Sequence, residues 1–226
     1  MTGFTGKRAV VLGGAGFLGS HLCDRLLTEG AADVIAVDNL LSGSERNLFE
    51  LRARRGFRFV FHDLTDSPPP IGGEIQFVFN LASPSSNWER HPIETLRAGS
   101  VGTEHALCLA REKSAVFVQA SGAQIYGEPL VHPQGEEYRG SVNVSAARAC
   151  RDEARRFAEA MVAAWRREYG VETRIARIFN TYGPRMRPED DRVLPTFLVQ
   201  ALQDEELTVF GDGSQTRSFC YVTDMV

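Results

Sequence analysis

Residues 9–20 read Ala9-Val10-Val11-Leu12-Gly13-Gly14-Ala15-Gly16-Phe17-Leu18-Gly19-Ser20, and this stretch decides the fold. Its four leading apolar residues read as a strand. The residues beyond the glycines open a helix in which Phe17, Leu22, Leu26 and Leu27 share one face. Between the two, Gly13, Gly16 and Gly19 let the chain turn tightly, let backbone amides approach a pyrophosphate, and let the helix pack close to the strand. The helix N-terminus points its partial positive charge at those phosphates. A second apolar run, Val34-Ile35-Ala36-Val37, ends in Asp38, nineteen residues past Gly19. A carboxylate at that place accepts hydrogen bonds from adenine-ribose hydroxyls. Strand, glycine loop, helix, strand and acid stand in order, and together they read as a dinucleotide site.

Helical and strand patterns alternate along the rest of the chain. A short helix over 45–54 ends at Gly56, and Phe57, Phe59 and Phe61 alternate into a third strand. Ser67-Pro68-Pro69-Pro70 continues neither element and marks a loop. Phe77-Val78-Phe79-Asn80-Leu81-Ala82 reads as a buried fourth strand. A long helix follows over 92–113, then a fifth strand over 116–120. A second long helix spans 145–169, with Cys150, Ala154, Phe157, Ala158, Met161 and Trp165 along one stripe. A sixth strand covers 171–179. This order predicts an α/β fold: a Rossmann-type, doubly wound parallel sheet with helical crossovers on both faces. After Gly183-Pro184 comes a mixed tail, with a helix near 193–203 and Thr223 or Asp224 as the cap of a last helix. Residues 1–180 read as the dinucleotide-binding domain and 181–226 as a partial substrate-binding region.

Bulk properties narrow the class. The 226 residues carry 25 Lys and Arg against 29 Asp and Glu, a formal charge of −4. That balance does not point to nucleic acid or an anionic membrane surface. No apolar run approaches the roughly 20 residues of a membrane span, and Met1-Thr2-Gly3-Phe4 does not begin a signal peptide. A cytoplasmic protein is expected. The four cysteines are scattered, without metal or redox spacing, and most are expected to be buried thiols. The five histidines lack ligand spacing, so no metal is assigned.

The chain resembles the extended short-chain dehydrogenase/reductases of the NAD-dependent epimerase/dehydratase group, and within it the UDP-glucuronate decarboxylases. The segments that carry the likeness are Gly13 to Leu22, Val37-Asp38-Asn39, His62-Asp63, Leu81-Ala82-Ser83-Pro84, Val131-His132-Pro133-Gln134, Arg148-Ala149-Cys150, Ala176 to Met186, and Gly213-Ser214-Gln215-Thr216-Arg217. The resemblance implies NAD as cofactor. Gly13, Gly16, Phe17, Leu18 and Gly19 would hold its pyrophosphate, Asp38 with Asn39 the adenosine ribose, and Asp63 with Leu64 the adenine. Leu81, Ala82 and Ser83 would line the path to the nicotinamide. Asp38 favours NAD over NADP, because it would repel a 2′-phosphate. For a UDP-sugar the resemblance points to Tyr126, Asn180, Val193, Leu194, Val209, Phe210 and Arg217, with Arg185 and Arg187 weaker. It also implies a homodimer through the two long helices, and family members continue through further elements that complete a substrate lobe.

The family's catalytic groups do not carry over. There a Tyr and a Lys sit four apart on the second long helix, the Tyr as base and the Lys on the nicotinamide ribose. Aligned on Arg148-Ala149-Cys150 and on Asp152-Glu153, those positions are Arg151 and Arg155. An arginine keeps its proton up to a pKa above about 12 and cannot serve as a base near neutral pH. The family's Ser-Thr-Ser-Glu ahead of Val-Tyr-Gly is here Ser121-Gly122-Ala123-Gln124, so a hydroxyl and a carboxylate are replaced. The family's Asn on the first long helix is Gly99, and a frequent Lys is Glu94. The resulting expectation is an NAD-binding, non-catalytic or regulatory homologue. The alternative is an active sugar-nucleotide decarboxylase, epimerase or dehydratase with an altered mechanism, its base supplied by a group such as Tyr126 or by a partner chain.

Overall fold

The computed structural model describes residues 3–84, 88–190 and 192–226. Strand β1 (Arg8–Leu12) is buried beyond Arg8 and feeds through the glycine turn into α1 (Phe17–Thr28). Strand β2 (Asp33–Asp38) follows, then a 3-10 turn (Glu45–Leu48), helix α2 (Phe49–Arg52) and β3 (Phe57–Phe61). Beyond the proline loop come β4 (Phe77–Asn80) and helix α3 (Pro92–Arg97). The latter passes through a π-helical turn (Ala98–Gly102) into α4 (Thr103–Glu112). Strand β5 (Val116–Gly122), a 3-10 turn (Ala123–Tyr126), helix α5 (Ala149–Tyr169) and β6 (Thr173–Ile178) complete the sheet. Its order is β3-β2-β1-β4-β5-β6, and every pairing is parallel. This is the doubly wound sheet the alternation predicts.

The period-2 alternation of side chains divides the core into two layers. Val10 and Leu12 of β1, with Ile35, Val78 and Phe117, face Leu107, Ala110 and Val162 of α4 and α5. Ala9 and Val11, with Val34 and Ala36, face Leu26, Leu27, Leu48 and Leu51 on the other side. Burial on both faces is why these strands read as continuous apolar runs. The start of β2 is tied to its neighbours by Asp33, which takes ion pairs from Arg8 of β1 and Arg58 of β3.

Five local expectations are corrected. The helix predicted over 92–113 contains the π-helical turn, which the apolar pattern alone does not reveal. Helix α5 begins at Ala149 rather than 145. Its inward stripe is Ala154, Ala158 and Val162 at intervals of four, whereas Phe157 lies off that line and is 50% exposed. Of the cysteines only Cys23 is fully buried, and all four are free; burial pushes the Cys23 thiol well above its usual range. Beyond the sheet, β7 (Thr181–Tyr182) precedes α6 (Val193–Leu202), and β7 pairs in parallel with β8 (Cys220–Tyr221). Helix α7 (Val222–Met225) leaves that strand directly, so its cap is Tyr221 and not Thr223 or Asp224.

Candidate functional site

The C-terminal ends of the parallel strands open into one cleft, as expected where the strand order reverses between β1 and β4. Its floor is the glycine turn. Gly13 stands at φ +77°, and a Cβ there would come within 2.8 Å of the Leu81–Ala82 backbone. A Cβ on Gly19 would come within 2.1 Å of the Gly13 carbonyl. No side chain fits at either place, so the α1 N-terminus stays close to β1 and presents its amides to the cleft. Gly16 is the N-cap residue and no side chain caps the helix, which leaves the first-turn N–H groups for a ligand. Gly16, Phe17 and Leu18 line the cleft beside Gly13 and Gly19.

At the β2–β3 end stand two carboxylates. Asp38 accepts hydrogen bonds from Ala15 N (3.0 Å) and Leu40 N (2.8 Å), and Gly43 packs directly over it. Burial raises its pKa, against the pull of those two amides and of Arg187. Asp63 accepts from Asn39 Nδ2 at 2.8 Å and from the Thr65 amide and hydroxyl, both at 2.8 Å. Burial works to raise this carboxyl, but the Asn39 and Thr65 hydrogen bonds hold it below its ordinary value. Asn39, Asp63 and Leu64 line the cleft with Asp38.

The β4–β5 end is cationic. Leu81, Ala82, Ser83, Ser121, Gln124, Arg151 and Arg155 meet there. Arg155 donates from Nη1 to the Ala120 carbonyl at 2.6 Å. Its pKa is brought down to about 10 by burial first and by Arg151 second, with Glu159 opposing; it remains a cation at neutral pH. The Ser121 hydroxyl is buried without a hydrogen-bond partner among the described residues. Gly122 ends β5, and a Cβ on it would meet Gln124 Oε1 at 2.2 Å and the Ile178 carbonyl at 2.9 Å. The Gln124 carboxamide therefore occupies the space a side chain at 122 would take. Gly99, in the π-helical turn, rests on α5 so closely that a Cβ would lie 2.5 Å from the Ala154 carbonyl.

Tyr126 is turned away from the cleft. Its hydroxyl donates to the Gly135 carbonyl at 3.3 Å and accepts from Arg177 Nη1 at 3.0 Å. Arg177 also grips Glu159 at 2.8 to 3.3 Å and the Glu136 carbonyl at 2.7 Å, binding the loop after β5 to α5 and β6. Asn180 donates to the Ser218 carbonyl, and Arg217 to the Thr216 carbonyl. Asn180, Val193, Val209, Phe210 and Arg217 are exposed, and neither they nor Leu194 line the cleft. The cofactor positions thus converge, whereas of the expected sugar-nucleotide positions the weaker candidates Arg185 and Arg187 reach the cleft and the others do not. Two buried amides stand outside every motif of the sequence. Asn80 donates to Gln119 Oε1 at 2.9 Å across β4 and β5, and its own carbonyl receives Ala82 N at 3.3 Å. A lone Asn or Gln inside an apolar run is the only signal they give. Arg187, one of the weaker sequence candidates, donates to the Gly43 carbonyl at 2.7 Å above Asp38.

The model of the NAD dependent epimerase/dehydratase family matches residues 9–226. UDP-glucuronic acid decarboxylase 1 of Xenopus tropicalis is 46% identical over 222 residues, which is 97% of this chain and 52% of that protein. The chain therefore spans about half the length of that curated relative. Among solved structures, a UDP-N-acetylglucosamine 4-epimerase of Methanobrevibacter ruminantium, in complex with UDP-N-acetylmuramic acid, superposes with a TM-score of 0.88 at 26% identity. That match covers 98% of this chain and 71% of the other. A dTDP-glucose 4,6-dehydratase of Streptomyces venezuelae solved with NAD bound gives 0.85 at 26% identity, over 96% and 69%.

Proposed function

Because the chain belongs to the NAD dependent epimerase/dehydratase family, we propose that it binds NAD in this cleft, with a UDP-sugar beside it, and does not turn the sugar over. The observation that carries the reading is Arg151 and Arg155 at the β4–β5 end of the cleft. A guanidinium has five donors and no lone pair to take a proton, so neither residue can abstract one from a sugar hydroxyl. Gly13, Gly16, Gly19 and Asp38 would hold the dinucleotide. NAD, when bound, would supply a hydride acceptor, but the position of the family's base is held by Arg151, which cannot take a proton from a sugar hydroxyl.

Packing supports the reading beyond the two arginines. Gln124 fills the volume over Gly122, and the Gly99 backbone fills the volume against Ala154. These substitutions fit one another, and a hydroxyl at 122 or an amide at 99 would have to displace its neighbours. The altered-mechanism alternative draws no support from Tyr126, whose hydroxyl is held by Arg177 and the Gly135 carbonyl outside the cleft. The packing and the place of Tyr126 favour a binding or regulatory role.

The test is to incubate the protein with NAD and UDP-glucuronate, monitoring NADH by absorbance and the nucleotide sugars by chromatography. Neither NADH nor a decarboxylated sugar nucleotide is expected. The Arg151→Tyr/Arg155→Lys double variant is expected to stay inactive as well. A general base contributes about 10²–10⁴-fold, but it works only on a substrate positioned by groups that Gly99, Gly122 and Gln124 no longer provide. Clear product formation by the unmodified chain would overturn the proposal.

A further inference from the structure

At the Asp38 end the cleft is met by a segment from far along the chain. His21 Nε2 of α1 donates to the Pro184 carbonyl at 2.9 Å. Arg185 Nη2 stands 3.6 Å from Asp24 and 3.5 Å from Glu50, while its buried Nη1 has no hydrogen-bond partner among the described residues. Arg187 donates from Nη2 to the Gly43 carbonyl at 2.7 Å. Gly43 in turn lies so close to Asp38 that a Cβ on it would sit 2.8 Å from Oδ1. Among the described residues Arg187 makes no other hydrogen bond and no ion pair, yet its charge reaches Asp38 and draws that carboxyl down against the effect of burial. Both arginines line the cleft and also a groove of about 1030 Å³ beside it. Arg46 adds a third cation to that groove, and its two carboxylates, Glu50 and Glu189, are exposed and screened by solvent.

A carboxylate at the end of β2 takes the ribose hydroxyls and repels a 2′-phosphate, whereas an arginine nearby accommodates one. Here both groups stand at one place, each against Gly43. The arginine comes from residue 187 and not from the loop after β2, so the motif around Asp38 gives no sign of it. A unit charge about 6 Å from a phosphate, at an effective dielectric constant of about 40, changes affinity about tenfold per unit of phosphate charge. Asp38 and Arg187 act in opposite directions, so the repulsion expected from Asp38 alone is offset. The guanidinium also keeps N–H groups to donate, and the groove gives a phosphate room. Resting on the NAD site proposed above, we infer that this chain also accepts the 2′-phosphorylated dinucleotide NADP, with Arg187 as the residue that decides it.

The experiment is calorimetry with NAD⁺ and NADP⁺, which differ only in the 2′-phosphate. On the unmodified chain NADP⁺ is expected to bind within about tenfold of NAD⁺. In Arg187→Leu the preference for NAD⁺ is expected to grow by about tenfold or more. An arginine that merely held the Gly43 loop in place would move both affinities together and leave their ratio alone. If Arg187→Leu fails to fold, the ratio measured on the unmodified chain decides. NADP⁺ weaker than NAD⁺ by more than about tenfold, or a ratio indifferent to Arg187→Leu, would overturn the inference and leave the NAD site standing. Failure of both ligands to bind would overturn the site as well.

Discussion

On the NAD site proposed above, Asp38 would serve the turn and the ligand with one carboxylate. By accepting Ala15 N and Leu40 N it fixes the backbone on both sides of the cleft floor, and its remaining acceptor sites are left for ribose hydroxyls. Asp38→Ala is therefore expected to weaken NAD binding about 10- to 100-fold, the range for losing hydrogen bonds to a charged group. Calorimetry checks this, and a change below about threefold would mean that the ribose is not held there. Residues of this kind are legible in the sequence because their chemistry is local. Gly13 marks a backbone that a side chain would block, and Asp38 marks the end of a strand beside it. Asn80 and Gln119 are not legible as a pair, because only the register of β4 on β5 brings them together. Tyr126 misleads for a related reason. Its place in the chain puts it next to the site, but the 3-10 turn over Ala123–Tyr126 sends its ring toward Tyr138 and Arg177.

Among the elements, the contact between the π-helical turn and α5 sets the shape of the cationic end. Gly99 lies on the Ala154 backbone, so anything larger must push α5 outward and carry Arg151 and Arg155 with it. Gly99→Asn is expected to cost about 1–3 kcal/mol, the usual range for overpacking a close contact. A lower denaturant midpoint with an unchanged slope would register that cost; an unchanged midpoint would show that the two helices part freely. Apolar periodicity locates both helices, since it reports which face is buried. It cannot report the widened turn, because one extra residue in a turn shifts the phase without removing an apolar position. The sugar-nucleotide positions are beyond its reach for a different reason: Val193, Val209 and Arg217 are exposed, and a period reports only which side chains are buried.

For the molecule as a whole, the outer side of the α3–α5 pair leaves apolar surface open. Ile93, Leu96 and Phe157 are 63%, 39% and 50% exposed. A homodimer that packs these helices against a second copy is expected, and sedimentation at tens of micromolar checks it. Phe157→Glu should then shift the population to monomer, since a charge buried at such a contact lacks a partner; a wild-type monomer would rule the assembly out. The sheet order carries a consequence of another kind. Because β3, β2 and β1 are contiguous in the chain and occupy one side, the end of the cleft around Asp38 and Asp63 is encoded mostly within the first 65 residues, with Arg187 reaching back over Gly43. The half around Arg151 and Arg155 is encoded by residues beyond them, and the two meet only along β1 and β4. A gene built this way can be rewritten in its later portion while its earlier portion goes on specifying the same nucleotide grip. On the proposed reading, grip and chemistry are separately heritable, and a lineage can discard one without forfeiting the other.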